Sequence, residues 1–447
     1  MATIHARQAL LAGGWAKDVR IGVEAGRIVR LETGVAAAAG DERHDTIVAG
    51  MPNLHSHAFQ RGMAGLAETR GPGSDSFWSW RNVMYRFALS MTPDDVEAVA
   101  AQLYVEMLEA GFTRVGEFHY LHHDKDGGHY ADIAEMAVRI ASAASETGIA
   151  LTLLPVFYAH AGFGGTAPGE GQRRFINDRE SYAALLERCR ALTDALPDGI
   201  TGVAPHSLRA VTPDELISVV AMAGDKPIHI HIAEQVKEVE DSIAWSGRRP
   251  VEWLLDNQAV DGRWCFIHAT HMTDAETRGM AEAGAIAGLC PITEANLGDG
   301  TFPAEFFAAG GRFGVGSDSN VLIGLPDELR QLEYSERLAH RARNVLAAPG
   351  GSTGRALFDG AVVGGAAALG VEVGLAAGRA ADFVSVKARH GLDLAGDMLL
   401  DGWIFANGAE VDCVWVNGRK QVEGGRHVAR AAVGQRFTST MRALAEA

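Results

Sequence analysis

The feature that most constrains the fold is an alternation between short apolar, β-branched runs and longer segments with helical character. Eight such runs occupy residues 46–54, 112–118, 149–158, 200–205, 227–232, 264–267, 285–290 and 313–316. This alternation is typical of βα units that build a parallel sheet. Eight units in a row predict an α/β fold of the TIM-like (β/α)₈ barrel type, in which functional side chains collect at the carboxyl ends of the strands.

Two of the intervening segments show clear helix boundaries. Thr92 can cap a helix that Pro93 opens, so we expect a helix over residues 93–110. A second helix is expected over residues 131–147, where Gly148 closes it. Helices at these places fit the crossover connections that parallel strands require.

The two ends of the chain differ from the central block, because they contain short strands and turns. Residues 411–416, for example, precede an Asn-Gly pair of the kind that joins hairpin strands. We therefore predict two domains. Residues 46–374 form the barrel, and residues 1–45 and 375–447 together build a small β-sandwich.

The charge balance argues against several classes of partner. Lys and Arg total 40 against 56 Asp and Glu, and the net charge of −16 would repel nucleic acid and anionic lipid surfaces. We therefore expect neither nucleic acid nor a membrane as partner. The longest apolar run, residues 360–371, is too short to cross a bilayer. The four cysteines are widely spaced, unlike a disulfide framework, which favours a reducing cytoplasm.

Histidines recur at the predicted strand ends. His55 and His57 close the first strand, and His229 and His231 lie in the fifth, with Glu234 three residues further on. Because side chains alternate along a strand, each pair points to one side. An isolated His-x-His in a chain with 17 histidines is more often a pair of polar loop residues. His229 lies deeper in the predicted barrel than His231, and we expect it to be a hydrogen-bonded interior residue.

Two more strand ends carry polar residues that would meet these histidines at the barrel mouth. His268 ends the sixth strand and Asp318 follows the eighth. Alone, each has an ordinary explanation, a hydrogen-bonded wall residue and an Asx turn. Together, His55, His57, His231 and Asp318 predict the ligands of one divalent metal, most simply Zn²⁺, although iron or manganese would also be accepted. Such a set leaves a coordination position open, which favours metal-assisted hydrolysis.

The pattern of these strand-end residues resembles that of the amidohydrolase superfamily, and the resemblance covers nearly the whole chain. The fourth strand end, Ala204-Pro205-His206, offers no lysine suited to bridge two metals, which resembles the single-metal deaminase branch. Three segments resemble, more narrowly, the formimidoylglutamate deiminase family. They are residues 50–61 (GMPNLHSHAFQR), 78–81 (WSWR) and 203–209 (VAPHSLR).

The resemblance implies hydrolysis of N-formimidoyl-L-glutamate to N-formyl-L-glutamate and ammonia, in histidine degradation. It implies that Asp318 takes a proton from the attacking water and that His268 holds and polarises this water. Glu234 is then placed to pass a proton to the departing nitrogen, whereas its ordinary explanation is a partner for a histidine ligand. Because related barrels commonly pair, we expect a homodimer.

The implied substrate is a small dicarboxylate, and arginine suits carboxylate best. By resemblance, Arg209 and Arg81 bind the two carboxylates, and Gln60, Tyr120 and His206 complete the hydrogen bonds. Arg81 could equally stack on a neighbouring tryptophan.

Other histidines follow the second strand, in a glycine-rich polar stretch. We expect His122, His123 and His129 to be solvated rather than to bind metal.

Two alternative functions remain open at this point. A deaminase of an aminated heterocycle, of the guanine or adenosine type, would keep the metal and Glu234 but would need aromatic stacking and amide groups instead of two arginines. A non-catalytic metal-binding barrel would have no use for Glu234, His268 or an open coordination position.

Overall fold

A computed structural model of the chain describes residues 2–70, 73 and 76–446. In chain order the strands are β1 (Ala2–Leu11), β2 (Gly14–Glu24), β3 (Arg27–Glu32), β4 (Glu42–Ala49), β5 (Met51–Ser56), β6 (Phe112–His119), β7 (Ala150–Phe157), β8 (Ile200–Thr201), β9 (Ala204–Pro205), β10 (Ile228–Ile232), β11 (Trp264–His268), β12 (Ile286–Leu289), β13 (Arg312–Val315), β14 (Phe383–Ala388), β15 (Ala409–Val416), β16 (Arg419–Glu423) and β17 (Arg426–His427). The α-helices are α1 (Phe77–Ser90), α2 (Pro93–Ala110), α3 (Glu135–Thr147), α4 (Arg179–Asp194), α5 (Pro213–Ala223), α6 (Val236–Ser246), α7 (Pro250–Asn257), α8 (Asp274–Ala283), α9 (Pro291–Leu297), α10 (Glu305–Ala308), α11 (Leu325–His340), α12 (Thr353–Ala368), α13 (Asp397–Ala406) and α14 (Arg430–Glu446).

Strands β5 to β13 form the barrel, in which β8 and β9 are two short pieces of the predicted fourth strand, residues 200–205. Parallel pairing runs from β5 through β6 and β7 to β8 and β9, and from β10 through β11 and β12 to β13. Parallel bridges between Ser56 and Asp318 and between Val203 and Ile228 join the two halves. Strands β5 to β7 and β10 to β12 are buried along their whole length, as expected where helices cover a parallel sheet.

The first predicted strand, residues 46–54, is in fact two strands. Its first part lies in β4, which pairs with β1 and β14 in the terminal sheet, and its second part is β5 of the barrel. They meet at Gly50, where a Cβ would come 2.2 Å from the Thr113 Oγ1 atom. The apolar run is continuous because both strands are buried, so the sequence does not show the change of sheet.

The predicted helix over residues 93–110 is confirmed as α2, with the Thr92 hydroxyl as its N-terminal cap. The second predicted helix, α3, begins at Glu135 rather than at residue 131. Asp132 explains the difference, because its side chain accepts a hydrogen bond from the Ala134 N–H at 3.0 Å and holds a turn there.

Both ends of the chain supply the terminal sheet, whose strand order is β17-β16-β15-β14-β4-β1-β2-β3. A separate apolar core lies within it and includes Ile4, Ile21, Phe383 and Trp415. The predicted fold class, a TIM-like barrel with a β-sandwich built from both termini, is confirmed. The exact domain boundaries stay a prediction. In the part of the chain that the structure describes, no helix has the length and apolar character needed to span a membrane.

Candidate active site

Four buried side chains converge at the carboxyl ends of the barrel strands. The ligand atoms of His55, His57, His231 and Asp318 all lie within 4.8 Å of one another. The Nε2 atoms of His55 and His231 are 3.1 Å apart. The Asp318 Oδ1 atom lies 3.1 Å from His57 Nε2 and 3.4 Å from His55 Nε2. The predicted ligand set is therefore brought to one point.

The backbone hydrogen bonds that close the barrel also hold these residues. The Asp318 N–H donates to the His55 carbonyl at 2.9 Å, and the His57 N–H donates to the Asp318 carbonyl at 3.0 Å. On the opposite side of the ring, the His231 N–H donates to the His206 carbonyl at 3.0 Å. The positions of the four groups thus depend on barrel closure rather than on a mobile loop.

The protonation of the histidines fits a metal. His57 Nδ1 lies 2.9 Å from the Phe118 carbonyl and His231 Nδ1 lies 3.1 Å from the His206 carbonyl. Since a carbonyl oxygen only accepts, each Nδ1 carries a proton, so in the neutral ring Nε2 is the nitrogen that can bind a metal at the shared point. Burial lowers the pKa of His55 to about 3, which keeps that ring neutral as well. Three imidazole nitrogens and a carboxylate are a donor set that zinc prefers.

Asp318 is held as a carboxylate. Burial raises its pKa, but its contacts with His55 and His57 outweigh burial, and the pKa lies well below its usual value.

His268 and Glu234 lie beside the ligand set. His268 Nε2 is 3.9 Å from both Glu234 Oε1 and Asp318 Oδ2. Burial raises the pKa of Glu234 to about 7, although His268 and Arg209 act in the opposite direction. Burial lowers the pKa of His268, but Glu234, Glu294 and Asp318 outweigh it and raise the value to about 10. A carboxyl group that titrates near neutrality beside a cationic imidazole is suited to proton transfer.

Backbone strain marks the same strand ends. Ala233, His268 and Asp318 have φ values of 52°, 68° and 44°. Residues with a side chain rarely adopt this left-handed conformation, and it clusters at functional sites where the surrounding structure enforces it. Buried Glu238 stabilises one such place, because its carboxylate accepts the N–H groups of Ala233 and Glu234 at 3.1 and 3.2 Å.

A cavity opens above these residues, and the predicted substrate-binding residues Gln60, Arg81, Tyr120, His206 and Arg209 line it. The Gln60 side-chain amide donates to the Tyr120 hydroxyl at 2.7 Å.

Both arginines of the cavity pack against Trp78. The Arg81 guanidinium carbon lies 4.6 Å from the Trp78 ring centroid, and that of Arg209 lies 5.9 Å from it. Arg81 therefore does stack on tryptophan, and it faces the cavity as well. Within residues 2–70, 73 and 76–446, neither arginine Nε atom has a hydrogen-bond partner. Burial lowers the pKa of Arg209, but Glu238 and Glu234 outweigh burial and the net change is upward. Two guanidinium groups thus retain donor capacity beside the ligand set.

A family model described as "Amidohydrolase family" matches residues 46–420. The chain belongs to the amidohydrolase family. A second model, described as the N-terminal domain of formimidoylglutamate deiminase HutF, matches residues 1–45.

Known relatives of this amidohydrolase include a formimidoylglutamate deiminase from Pseudomonas aeruginosa, which is 52% identical over 99% of both chains. A 5-methylthioadenosine/S-adenosylhomocysteine deaminase from Natronomonas pharaonis is 28% identical over 91% of this chain and 88% of that protein. The crystal structure of an amidohydrolase from Brucella melitensis is 66% identical, covers 100% of both chains and gives a TM-score of 0.98. A zinc-bound adenosine deaminase from Xanthomonas campestris, 22% identical with a TM-score of 0.81, shares the fold.

Sequence reasoning missed several side chains at the site of this amidohydrolase. Aromatic residues of α1 and of the segments after β7 line the cavity, namely Phe77, Tyr85, Tyr158 and Phe175. Tyr158 directly follows a strand and could have been found by its position. Phe77 and Tyr85 of α1 reach the cavity only through tertiary packing, so their sequence positions gave no signal. Glu294 was missed for the same reason and contacts His268 from α9.

The remaining histidines have two different outcomes. His229 lies in the barrel interior, as expected, with Nε2 2.7 Å from the Ala368 carbonyl. The prediction that His122 and His123 are solvated is wrong. Both are buried, because the chain around Arg174 packs over them, and their rings donate to the carbonyls of Val156 and Ile176. The third residue of that group, His129, is exposed.

Proposed function

We propose that this amidohydrolase hydrolyses N-formimidoyl-L-glutamate to N-formyl-L-glutamate and ammonia, as a step of histidine degradation. One observation carries the proposal: a cavity with a metal-type ligand set on its floor has two guanidinium groups, Arg81 and Arg209, in its wall. The substrate has a hydrolysable formimino group, which suits the ligand set on the floor, and two carboxylates, which suit the two guanidinium groups in the wall. The 52% identity to the Pseudomonas deiminase supports the same assignment.

His55, His57, His231 and Asp318 would hold one divalent cation, most simply Zn²⁺. When bound, this cation supplies Lewis acidity for water activation and for polarisation of the substrate. The protein residues then move the protons. Asp318 accepts a proton from the attacking water, and His268 orients that water through Nε2.

Glu234 assists departure of the nitrogen. The water oxygen bonds to the formimino carbon, the bond from that carbon to its terminal nitrogen breaks, and both protons of the water end on ammonia. Because its pKa lies near 7, Glu234 can give a proton to the departing nitrogen and recover one from Asp318. Donation is required, since nitrogen leaves as ammonia far more readily than as an amide anion.

Substrate binding would depend on local rather than global charge. The net charge of −16 repels a dianion, so attraction must come from the two cavity arginines. Arg209, which follows β9, and Arg81 on α1 would each take one carboxylate. The polar groups of Gln60, Tyr120 and His206 would complete the hydrogen bonds.

Ammonia release by the zinc-loaded protein tests the proposal. We expect N-formimidoyl-L-glutamate to be turned over with much higher kcat/KM than guanine, adenosine or N-formimidoylglycine, which lacks the side-chain carboxylate. Formyl product would be identified by mass spectrometry. Equal or higher kcat/KM for a heterocycle would refute the assignment in favour of a heterocycle deaminase. Turnover of none of these compounds would refute it as well.

A further inference from the structure

Carboxylates from different parts of the barrel lie at both ends of the His268 ring, and one of them is within hydrogen-bond distance. Its Nε2 atom faces Glu234 and Asp318, each at 3.9 Å. Its Nδ1 atom lies 3.2 Å from the Oε1 atom of Glu294, a buried residue of α9. Glu234 and Asp318 line the cavity together with His268, whereas Glu294 lies on the side of the His268 ring away from the cavity.

Glu294 is itself fixed independently of His268. Its Oε1 atom also accepts the Cys290 N–H at 2.9 Å, at the point where β12 leads into α9. The Glu294 N–H donates to the Cys290 carbonyl at 2.9 Å as well. A carboxylate held by the backbone in this way provides a rigid reference for the histidine ring.

The His268 ring also contacts other imidazoles, and it lies edge-on to His55 at a centroid distance of 6.3 Å. It stacks on His231 with an interplanar angle of 12° and a centroid distance of 5.6 Å. Stacking fixes the plane of the ring but not which edge faces the cavity. A half-turn of the ring about its Cβ–Cγ bond would leave the plane unchanged but put a carbon atom where Nε2 now lies, so a further contact must select the edge.

We propose that Glu294 is a positioning residue that accepts the Nδ1–H of His268 and thereby keeps Nε2 directed at the reacting groups. The inference rests on the role proposed above for His268. Glu294 is not among the described residues that line the cavity, so its effect on the reaction passes through the orientation and charge of that ring. The competing explanation is that Glu294 only caps α9 through Cys290.

Two substitutions separate these explanations. In Glu294→Gln the amide oxygen can still accept from both His268 and Cys290, so only the negative charge is lost. Glu294→Ala loses the orientation too. We expect kcat to fall about tenfold in the glutamine variant and about 100-fold in the alanine variant, while KM and bound metal stay at the wild-type values.

Glu276→Gln is the matched control. Glu276 is also a buried carboxylate at a helix start, where it accepts the Thr273 N–H at 2.8 Å in the preceding βα unit. This control measures the cost of losing a buried carboxylate at a helix start away from His268, including its ion pair with Arg249. We expect a lower Tm with wild-type kcat. A kcat in Glu294→Ala equal to that of the wild type, or a fall that only follows lost metal or a lowered Tm, would overturn the proposal.

A second measurement does not depend on turnover. ¹⁵N-histidine NMR of the metal-free and metal-loaded protein reports which ring nitrogen carries a proton, and the His268 signal is the one missing in His268→Asn. We expect a protonated Nδ1 in the wild type, Glu294→Gln and Glu276→Gln, and loss of this signal in Glu294→Ala. An unchanged signal in Glu294→Ala would refute the positioning role. If instead the wild type fails to turn over formimidoylglutamate, the proposed function is refuted while the NMR result still decides the role of Glu294.

Discussion

The two halves of the candidate site are built in different ways. In the strand half, His55, His231 and His268 lie on barrel strands, and the backbone hydrogen bonds of the parallel sheet fix them. Glu234 and Asp318, which follow the ends of β10 and β13, belong to the same half. Arg81 lies on helix α1 and is half-buried, and it packs against the Trp78 ring. The strand half provides fixed distances, which metal binding and proton transfer require. The helix half provides positive charge and hydrogen-bond donors for substrate binding, which tolerates less precise positioning than catalysis does. This difference predicts that substitutions in the strand half reduce kcat, whereas substitutions in the helix half raise KM.

The largest effect is expected at Asp318. Asp318→Asn removes both a metal ligand and the proton acceptor, so we expect bound metal to drop and kcat to fall about 10⁴-fold. Metal analysis and ammonia release on the same preparation measure both. A variant that keeps more than about a tenth of the wild-type kcat would show that the strand half is not the reaction centre.

Glu234→Gln should separate proton transfer from metal binding. The amide cannot donate a proton as an acid does, so we expect kcat to fall about 10³-fold with bound metal unchanged. Glu240→Gln is the control, since this exposed glutamate lies on α6, six residues further along the chain. Loss of metal in Glu234→Gln would instead assign Glu234 to the support of a histidine ligand.

Substitution of the two cavity arginines, Arg81 in the helix half and Arg209 in the segment after β9, tests the binding of the carboxylates. We expect kcat/KM for formimidoylglutamate to fall about 100-fold in Arg209→Ala and about tenfold in Arg81→Ala, mainly through KM. Arg209 should matter more because it lies in a turn only four residues after the end of β9. Arg86→Ala, at an exposed position of α1, should leave both constants unchanged. Full activity of Arg209→Ala would refute its assignment as a carboxylate-binding residue.

The smallest effect is a pH dependence that should belong to the strand half alone. Burial raises the pKa of Glu234 to about 7, so its carboxyl keeps the proton to near neutral pH and loses it above. We therefore expect kcat to fall as pH rises beyond 7, by about tenfold per pH unit. Because arginine does not titrate in this range, Arg81→Ala should show the same fall at a lower kcat/KM. A shifted profile in that variant would show that the two halves are coupled.

The contrast between the strand half and the helix half also explains which site residues could be predicted from the sequence. The period of two along β5 and β10 places His55 with His57 and His229 with His231, and the strand-end rule adds His268 and Asp318. These positions follow from local geometry, so the eight strands and the convergence of the metal-type ligands were predictable.

Residues that reach the site through packing were not predictable. Tyr85 on α1 and Glu294 on α9 have no sequence pattern that points to the barrel mouth. His122 and His123 look like solvated loop residues because burial under the Arg174 segment is a long-range contact. The change of sheet at Gly50 was hidden for a related reason, since buried strands of either sheet have the same apolar composition.

Anomalous diffraction at the zinc edge, from crystals grown with zinc and a glutamate-like diacid, tests the central claim most directly. We predict one strong peak about 2.0–2.2 Å from the Nε2 atoms of His55, His57 and His231 and from an Asp318 oxygen. The carboxylates of the diacid should lie on Arg81 and Arg209. A peak held by other residues, or a diacid bound away from both arginines, would contradict the account.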